Sequence, residues 1–298
     1  MIRCNDCPRG CGVDRGEKKG ICRAPEGFLV ARVAPHMWEE PPISGTRGSG
    51  TVFFGGCNLG CVFCQNRAIR DGELGEVMDA DGLFGRIVAL AESGVHNINL
   101  VTPTHYTRAL VPLLKRLREE VTLPIVWNSG GYESVETLRM LDGLVDVYLP
   151  DFKYVSSEMA AYSRAPDYAE VATAAVREMF RQRGAVRFDG DGMMTSGVMV
   201  RHLVLPGGRR DSVAVLERVA ETLPVSDIRL SLMSQYTPDF VDRERYPALG
   251  RRVTSFEYNF VLERAMKLGY EGYFQSRDSA TAKYTPNFEG DESDGGKL

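Results

Sequence analysis

Apolar positions along this chain fall into short runs and helical stripes that alternate from residue 28 to residue 274. Residues 28–33 and 51–54 read as strands, with Gly and Pro punctuating residues 41–50 between them. The period then changes repeatedly. Residues 83–90 carry apolar side chains at helical spacing, with Asp79 or Asp81 as N-cap and Gly94 as terminator. Residues 97–101 are strand-like, and 105–120 predict an amphipathic helix with Leu110, Leu113, Leu114 and Leu117 on one face. The alternation continues with a strand at 124–127, a helix at 134–141 and a strand at 145–149. A longer helical region is expected over 156–182, followed by a strand at 198–205, a helix at 211–222 and a strand at 228–232. Thr254 and Glu257 form a capping box opening a helix that runs to Gly269, and residues 270–274 close the series.

Alternating strands and helices imply an α/β fold with a parallel sheet and covering helices. About six such units follow residue 51, fewer than the eight of a full barrel. Two ends depart from the pattern. The first 27 residues are poor in apolar side chains and rich in Gly, Pro, Arg and Lys, so they need a metal to hold them together. The last dozen are polar and Gly-rich, which predicts disorder. The domain reading is therefore a Cys-rich metal-binding segment over 1–35, a barrel over 36–284 and a disordered tail over 285–298.

Composition narrows the classes further. Hydrophobic residues make up 43% and charged residues 26%, ordinary values for a soluble globular enzyme. A net charge of −4 gives no general attraction to a phosphate backbone, so no nucleic-acid partner is expected. No run approaches the roughly eighteen apolar residues of a membrane span, and no secretory segment precedes Cys4, so the expected location is cytoplasmic.

The chemistry lies in the cysteines. All seven fall within the first 64 residues, in two groups: Cys4, Cys7, Cys11 and Cys22, then Cys57, Cys61 and Cys64. An odd count in a large chain argues against a disulfide framework. The second group, C-x3-C-x2-C, directly follows the strand at 51–54. Three thiolates in one loop leave a cubane one ligand short, so one iron keeps an open position. A structural zinc site would need a fourth ligand, from His36, His96, His105, His202 or the other cysteines.

The string Gly55-Gly56-Cys57-Asn58-Leu59-Gly60-Cys61-Val62-Phe63-Cys64-Gln65-Asn66 resembles the radical SAM superfamily, most closely the pyruvate formate-lyase activating enzyme-like branch and its relatives with four extra N-terminal cysteines. The resemblance implies a partial (β/α)6 barrel and a 4Fe-4S cluster on Cys57, Cys61 and Cys64, with S-adenosylmethionine (SAM) chelating the open iron. It also implies reductive cleavage of SAM to a 5′-deoxyadenosyl radical that abstracts a hydrogen atom from substrate. An electron donor such as flavodoxin or ferredoxin is implied with it.

Strand ends supply the expected SAM contacts. Phe63 matches the family's adenine-side aromatic position. Where many members carry Gly-Gly-Glu-Pro, this chain has Thr102-Pro103-Thr104-His105, without the glutamate. Thr102 and Thr104 offer hydroxyls and carbonyls to an ammonium, though Thr104 reads equally as a helix N-cap. Asn128 and Ser129 match the Thr-Asn-Gly element. Asp151 and Lys153 match Asp-x-Lys, with a structural salt bridge as the alternative. Arg201 and His202 must point to opposite sides of their strand, and His202 is favoured for the lumen. Met233, with Ser234 and Gln235, is a candidate adenine or substrate contact, or simple packing.

Four thiolates at Cys4, Cys7, Cys11 and Cys22 suffice for a closed site. Their spacing favours an iron–sulfur cluster over zinc. The functional expectation is a radical SAM oxidoreductase, either an activase of a glycyl-radical enzyme or a modifier of a protein, peptide or small molecule. A non-catalytic iron–sulfur sensor or electron carrier is the alternative from another class, as is a zinc-braced binding module.

Overall fold

A computed structural model describes residues 4–275. Its strands are β1 (Phe28–His36), β2 (Ser49–Phe54), β3 (Glu76–Met78), β4 (Ile98–Val101) and β5 (Ile125–Ser129). They continue with β6 (Val147–Pro150), β7 (Arg187–Phe188), β8 (Met194–Leu203), β9 (Arg229–Met233) and β10 (Gly272–Phe274). The longer helices are α1 (Ala80–Glu92), α2 (Thr107–Glu120), α3 (Val135–Arg139), α4 (Tyr168–Arg183), α5 (Arg209–Thr222) and α6 (Ser255–Lys267).

All ten strands join one sheet, ordered β10-β9-β8-β6-β5-β4-β2-β1-β3, with β7 on β8. Every neighbouring pair from β2 to β10 along that order is parallel. This is the expected run of six units plus one further short strand. β1 adds to β2 antiparallel, so the expected boundary at residue 35 falls inside a strand of the sheet. Among the described residues the two sheet edges, β10 and β3, do not pair with each other, which makes the barrel partial.

Strand alternation gives the sheet two apolar faces, as a covered parallel sheet requires. Val52, Phe54, Ile98, Leu100, Ile125, Trp127, Val198, Val200, Leu230 and Leu232 join the helices in the main core. The opposite residues line the concave side. Val126, Val147, Leu149 and Met199 pack there around Ile43, and Phe53 and Val101 pack around Ile69. Each large side chain fully buried in this way contributes on the order of 1.5–3 kcal/mol.

Most helix boundaries follow their predicted signals. Asp79 caps α1 by accepting from the Gly82 N–H, and Thr254 and Glu257 form the capping box of α6. The single helix expected over 156–182 is a correction. It is a one-turn helix at Ser157–Ala160, a 3-10 turn at Ala161–Ser163, and then α4. Arg164 adopts φ 56° and ends the turn, and Pro166 removes a donor and disfavours helix at the residue before it. The tail expected over 285–298 lies outside the described residues.

Candidate active site

The cysteine loop leaves the C-terminal end of β2 and is stitched to its surroundings by backbone. Gly56 N–H donates to the Ile69 carbonyl (2.8 Å), Gly60 N–H to Ser163 (3.2 Å) and Val62 N–H to Tyr162 (2.9 Å). The last two partners belong to the 3-10 turn that interrupts the expected long helix, so that break serves the loop. Cys61 Sγ lies 2.9 Å from Ser163 Oγ, which in turn lies 2.9 Å from the Tyr154 hydroxyl. The Leu59 N–H donates to Cys57 Sγ at 3.4 Å.

The three thiols influence one another. Burial, then neighbouring Cys61, push the Cys57 thiol well above its usual value. Cys64 rises to about 12 through burial and Cys61, against the pull of Arg70 and Lys153. Such thiols keep their protons at neutral pH unless a metal displaces them. Among the described residues no three His, Cys, Asp or Glu side chains gather around a single-ion position. An all-thiol set with two cations facing it is nonetheless the donor chemistry that an iron–sulfur cluster takes.

The first cysteine group lies against this loop. Burial raises Cys7 to about 12, with further contributions from Cys22, Cys4 and Cys11, so these four thiols share one neighbourhood. The Cys22 carbonyl accepts from the Cys57 N–H at 3.2 Å. Gly56 permits that approach: at φ 83° it adopts a conformation L side chains avoid, and a Cβ would collide with the Cys22 carbonyl. Arg15 donates to Cys4 Sγ (3.2 Å) and to the His105 carbonyl, and it pairs with Asp6 at 3.5 Å. Arg9 donates to the Asn58 carbonyl at 2.8 Å and stacks over Tyr132.

The other strand ends converge on the same mouth. Lys153 Nζ meets Asp151 Oδ2 at 2.5 Å, and Arg201 Nε meets Asp151 Oδ1 at 3.0 Å. Burial opposes charge on Asp151, yet Lys153 and Arg201 together hold its carboxyl below the ordinary range. Arg201 also donates to Asn128 Oδ1 at 2.7 Å. Asp151 and Lys153 therefore form a salt bridge, and Arg201 extends it across the lumen.

Several expected contacts sit elsewhere. His202 is corrected: it lies on the helix side of β8, 1% exposed, with Nδ1 2.7 Å from the Phe152 carbonyl. Strand alternation held, and Arg201 took the inner side. Thr104 is neither an N-cap nor open to the mouth; its hydroxyl donates to Glu133 Oε1 at 2.9 Å. Ser129 turns to the same buried carboxyl, and its hydroxyl accepts from the Gly131 N–H at 3.3 Å. Thr102 takes φ 59° and donates its N–H to the Asn128 carbonyl, which pins the two strand ends together. Phe63 packs edge-on against Tyr236, and Met233 is buried at the end of β9.

Two residues escaped the sequence reading. Glu39, on the β1–β2 connection, accepts from Asn128 Nδ2 (3.3 and 3.4 Å) and lies 3.4 Å from Arg201. Asn99 is fully buried and stands beside Glu39, whose ionised carboxylate it stabilises. Its signal was available, since an Asn inside an otherwise apolar parallel strand has no packing reason to be there.

Residues 51–189 match the family model described as Radical SAM superfamily. The chain is 28% identical over 274 residues to an uncharacterized protein of Methanocaldococcus jannaschii, covering 89% of this chain and 74% of that one. Its fold is similar to the crystal structure of SuiB from Streptococcus suis bound to the precursor peptide SuiA, with TM-score 0.50 and 11% identity over 74% of this chain. It is equally similar to native anSMEcpe with bound AdoMet, with TM-score 0.50 and 10% identity over 74% of this chain. The chain spans 46% and 61% of those two structures. At such identities the likeness shows the fold, a mixed α/β partial barrel.

Proposed function

From the premise that residues 51–189 carry a radical SAM superfamily domain, we propose that this protein reductively cleaves S-adenosylmethionine and uses the resulting 5′-deoxyadenosyl radical to remove a hydrogen atom from a substrate in the barrel. The observation that carries this reading is the three-thiol loop at the C-terminal end of β2, facing the Asp151–Lys153–Arg201 network at the ends of β6 and β8. A 4Fe-4S cluster held by Cys57, Cys61 and Cys64 would supply the electron and an open coordination position for SAM.

The chain's own residues do the remaining work. Ser163 and Tyr154 fix Cys61 from behind, and the 3-10 turn holds the loop backbone. Asp151, kept ionised by Lys153 and Arg201, offers a fixed anionic acceptor at the mouth. Asn128 and the Thr102 backbone line the neighbouring strand ends, and Phe63 and Met233 supply apolar surface that excludes water. The N-terminal cysteines form a second site, an iron–sulfur cluster in preference to zinc, that braces the loop from outside the barrel. Flavodoxin or ferredoxin is the donor class that fits the one-electron step. Polar groups in the lumen support a small or side-chain-sized substrate group, so a peptide- or small-molecule-modifying role is favoured over glycyl-radical activation.

The test is 5′-deoxyadenosine formation from SAM by anaerobically reconstituted, reduced protein beside Cys61→Ala. Product that depends on Cys61 supports the reading. An intact reduced cluster that yields no product, with or without candidate substrates, removes it and leaves the sensor or carrier reading.

A further inference from the structure

The connection from β1 to β2 passes beneath the barrel, since His36 pairs with Ser49 at the start of β2. From there Glu39 sends its carboxylate up into the lumen, to Asn128 on β5 and Arg201 on β8. Its hydrogen bonds there are long, 3.3 to 3.4 Å, and leave acceptor capacity unused. Asn99, on the inner face of β4, stands beside that carboxylate and stabilises its ionised form. Its side-chain carbonyl oxygen is buried without a hydrogen-bond partner. Glu40 adds a second carboxylate felt by Glu39 and Arg201, with one oxygen buried and unpartnered.

Charge is unbalanced in this space. Glu39, Glu40 and Asp151 supply three negative groups, and Arg201 and Lys153 supply two positive ones. Burial, then Glu40 and Asp151 against the pull of Arg201, raises the Glu39 carboxyl above its ordinary range, so a cation placed beside it is favoured.

We infer that Glu39 and Asn99 form the substrate-recognition end of the lumen and receive an alkylammonium group of the substrate. The ammonium donates to the Glu39 carboxylate and to the Asn99 carbonyl oxygen, and its charge balances the surplus carboxylate. Arg201 and Asn128 hold Glu39 in place from above, which ties this subsite to the Asp151–Lys153 pair. The assignment rests on the function proposed above and adds the substrate class to it.

The experiment is calorimetric titration of the full, reconstituted, SAM-bound protein with n-propylammonium, n-propanol and propionate. The ammonium is expected to bind saturably, at least about tenfold more tightly than either isostere, and Glu39→Gln is expected to lose about tenfold in that affinity. Equal affinity for all three probes, or a Glu39→Gln variant that binds n-propylammonium like wild type, overturns the assignment. SAM affinity measured on the same variant separates the two sources of an ammonium. A matching loss there means that Glu39 serves SAM itself and overturns the substrate role. Should Glu39→Gln fail to fold by circular dichroism, Asn99→Leu carries the same expectation and the same contradiction. Formation of 5′-deoxyadenosine, read in parallel, fails if the enzyme reading is wrong, whereas the ammonium titration fails if only this subsite is wrong.

Discussion

The two cysteine groups touch, yet they are built on different foundations. Cys57, Cys61 and Cys64 hang from β2, and their loop is tied to the barrel by backbone hydrogen bonds and by the Ser163–Tyr154 pair. Cys4, Cys7, Cys11 and Cys22 sit on a segment that has, among the described residues, no helix or strand before Phe28. Side chains hold that segment down: Arg9 on Asn58 and Tyr132, Arg15 on His105, Arg108 on Asp6, and Thr137 on the Asp6 carbonyl. The first foundation belongs to the sheet. The second has little apolar burial of its own, so its order depends on what its thiols bind. Three ligands on a rigid loop suit chemistry at an open position, and four on a weak scaffold suit a brace.

Substitutions can pull the two groups apart. The largest effect is expected for Cys57→Ala, Cys61→Ala or Cys64→Ala, each of which should reduce 5′-deoxyadenosine formation to background while the melting temperature changes little. Cys7→Ala or Cys22→Ala should reverse that order. Proteolysis within residues 4–27 should accelerate and the melting temperature should fall, by about 2–4 °C for each kcal/mol lost, with iron at the three-cysteine loop retained. Calorimetry and iron and sulfide counts on these variants measure both halves of the contrast.

A middle-sized effect is expected at the mouth. Asp151→Asn removes the negative charge that Lys153 and Arg201 share, and leaves Arg201 with only the longer ion pair to Glu39. SAM affinity should fall by about tenfold or more while the fold stays intact. Equilibrium SAM binding checks this, and an unchanged affinity would reduce the pair to a structural salt bridge.

The smallest effect concerns a site remote from both groups. Arg251, assisted by the Thr254 and Gly207 N–H groups, holds the Glu257 carboxyl well below its ordinary value against partial burial. A depressed folded-state value means that this stabilisation is fully present above the ordinary carboxylate value of about 4.3 and is lost as pH falls below it. Glu257→Gln should therefore lower the melting temperature at neutral pH and flatten its decline between about pH 4.3 and lower values. Equal acid sensitivity in the variant would count against the cap.

Much of this architecture was written in hydrophobic periodicity. Buried parallel strands such as β4 and β5 are short apolar runs, and capping residues such as Asp79 and Thr254 mark helix starts locally. The long helix failed because Arg164 and Pro166 act against an otherwise helical stripe, and the loop they allow is needed only once the cysteine loop is folded beside it. At the site, cysteine spacing and Asp-x-Lys were legible because each lies within one loop. Glu39 was not, because its role depends on a connection beneath the barrel reaching strands 60 to 162 residues away (Asn99 and Arg201). The choice between Arg201 and His202 needed the facing strand, since alternation fixes that they diverge but not which one points inward.

The most direct test of the division between the two groups is electron paramagnetic resonance of the reduced protein with and without SAM, in wild type, Cys61→Ala and Cys7→Ala. A cluster signal that SAM alters is expected in wild type and in Cys7→Ala, with no SAM-dependent change in Cys61→Ala. A SAM response that survives loss of Cys61 but disappears with Cys7 would assign the open site to the wrong group and contradict that division.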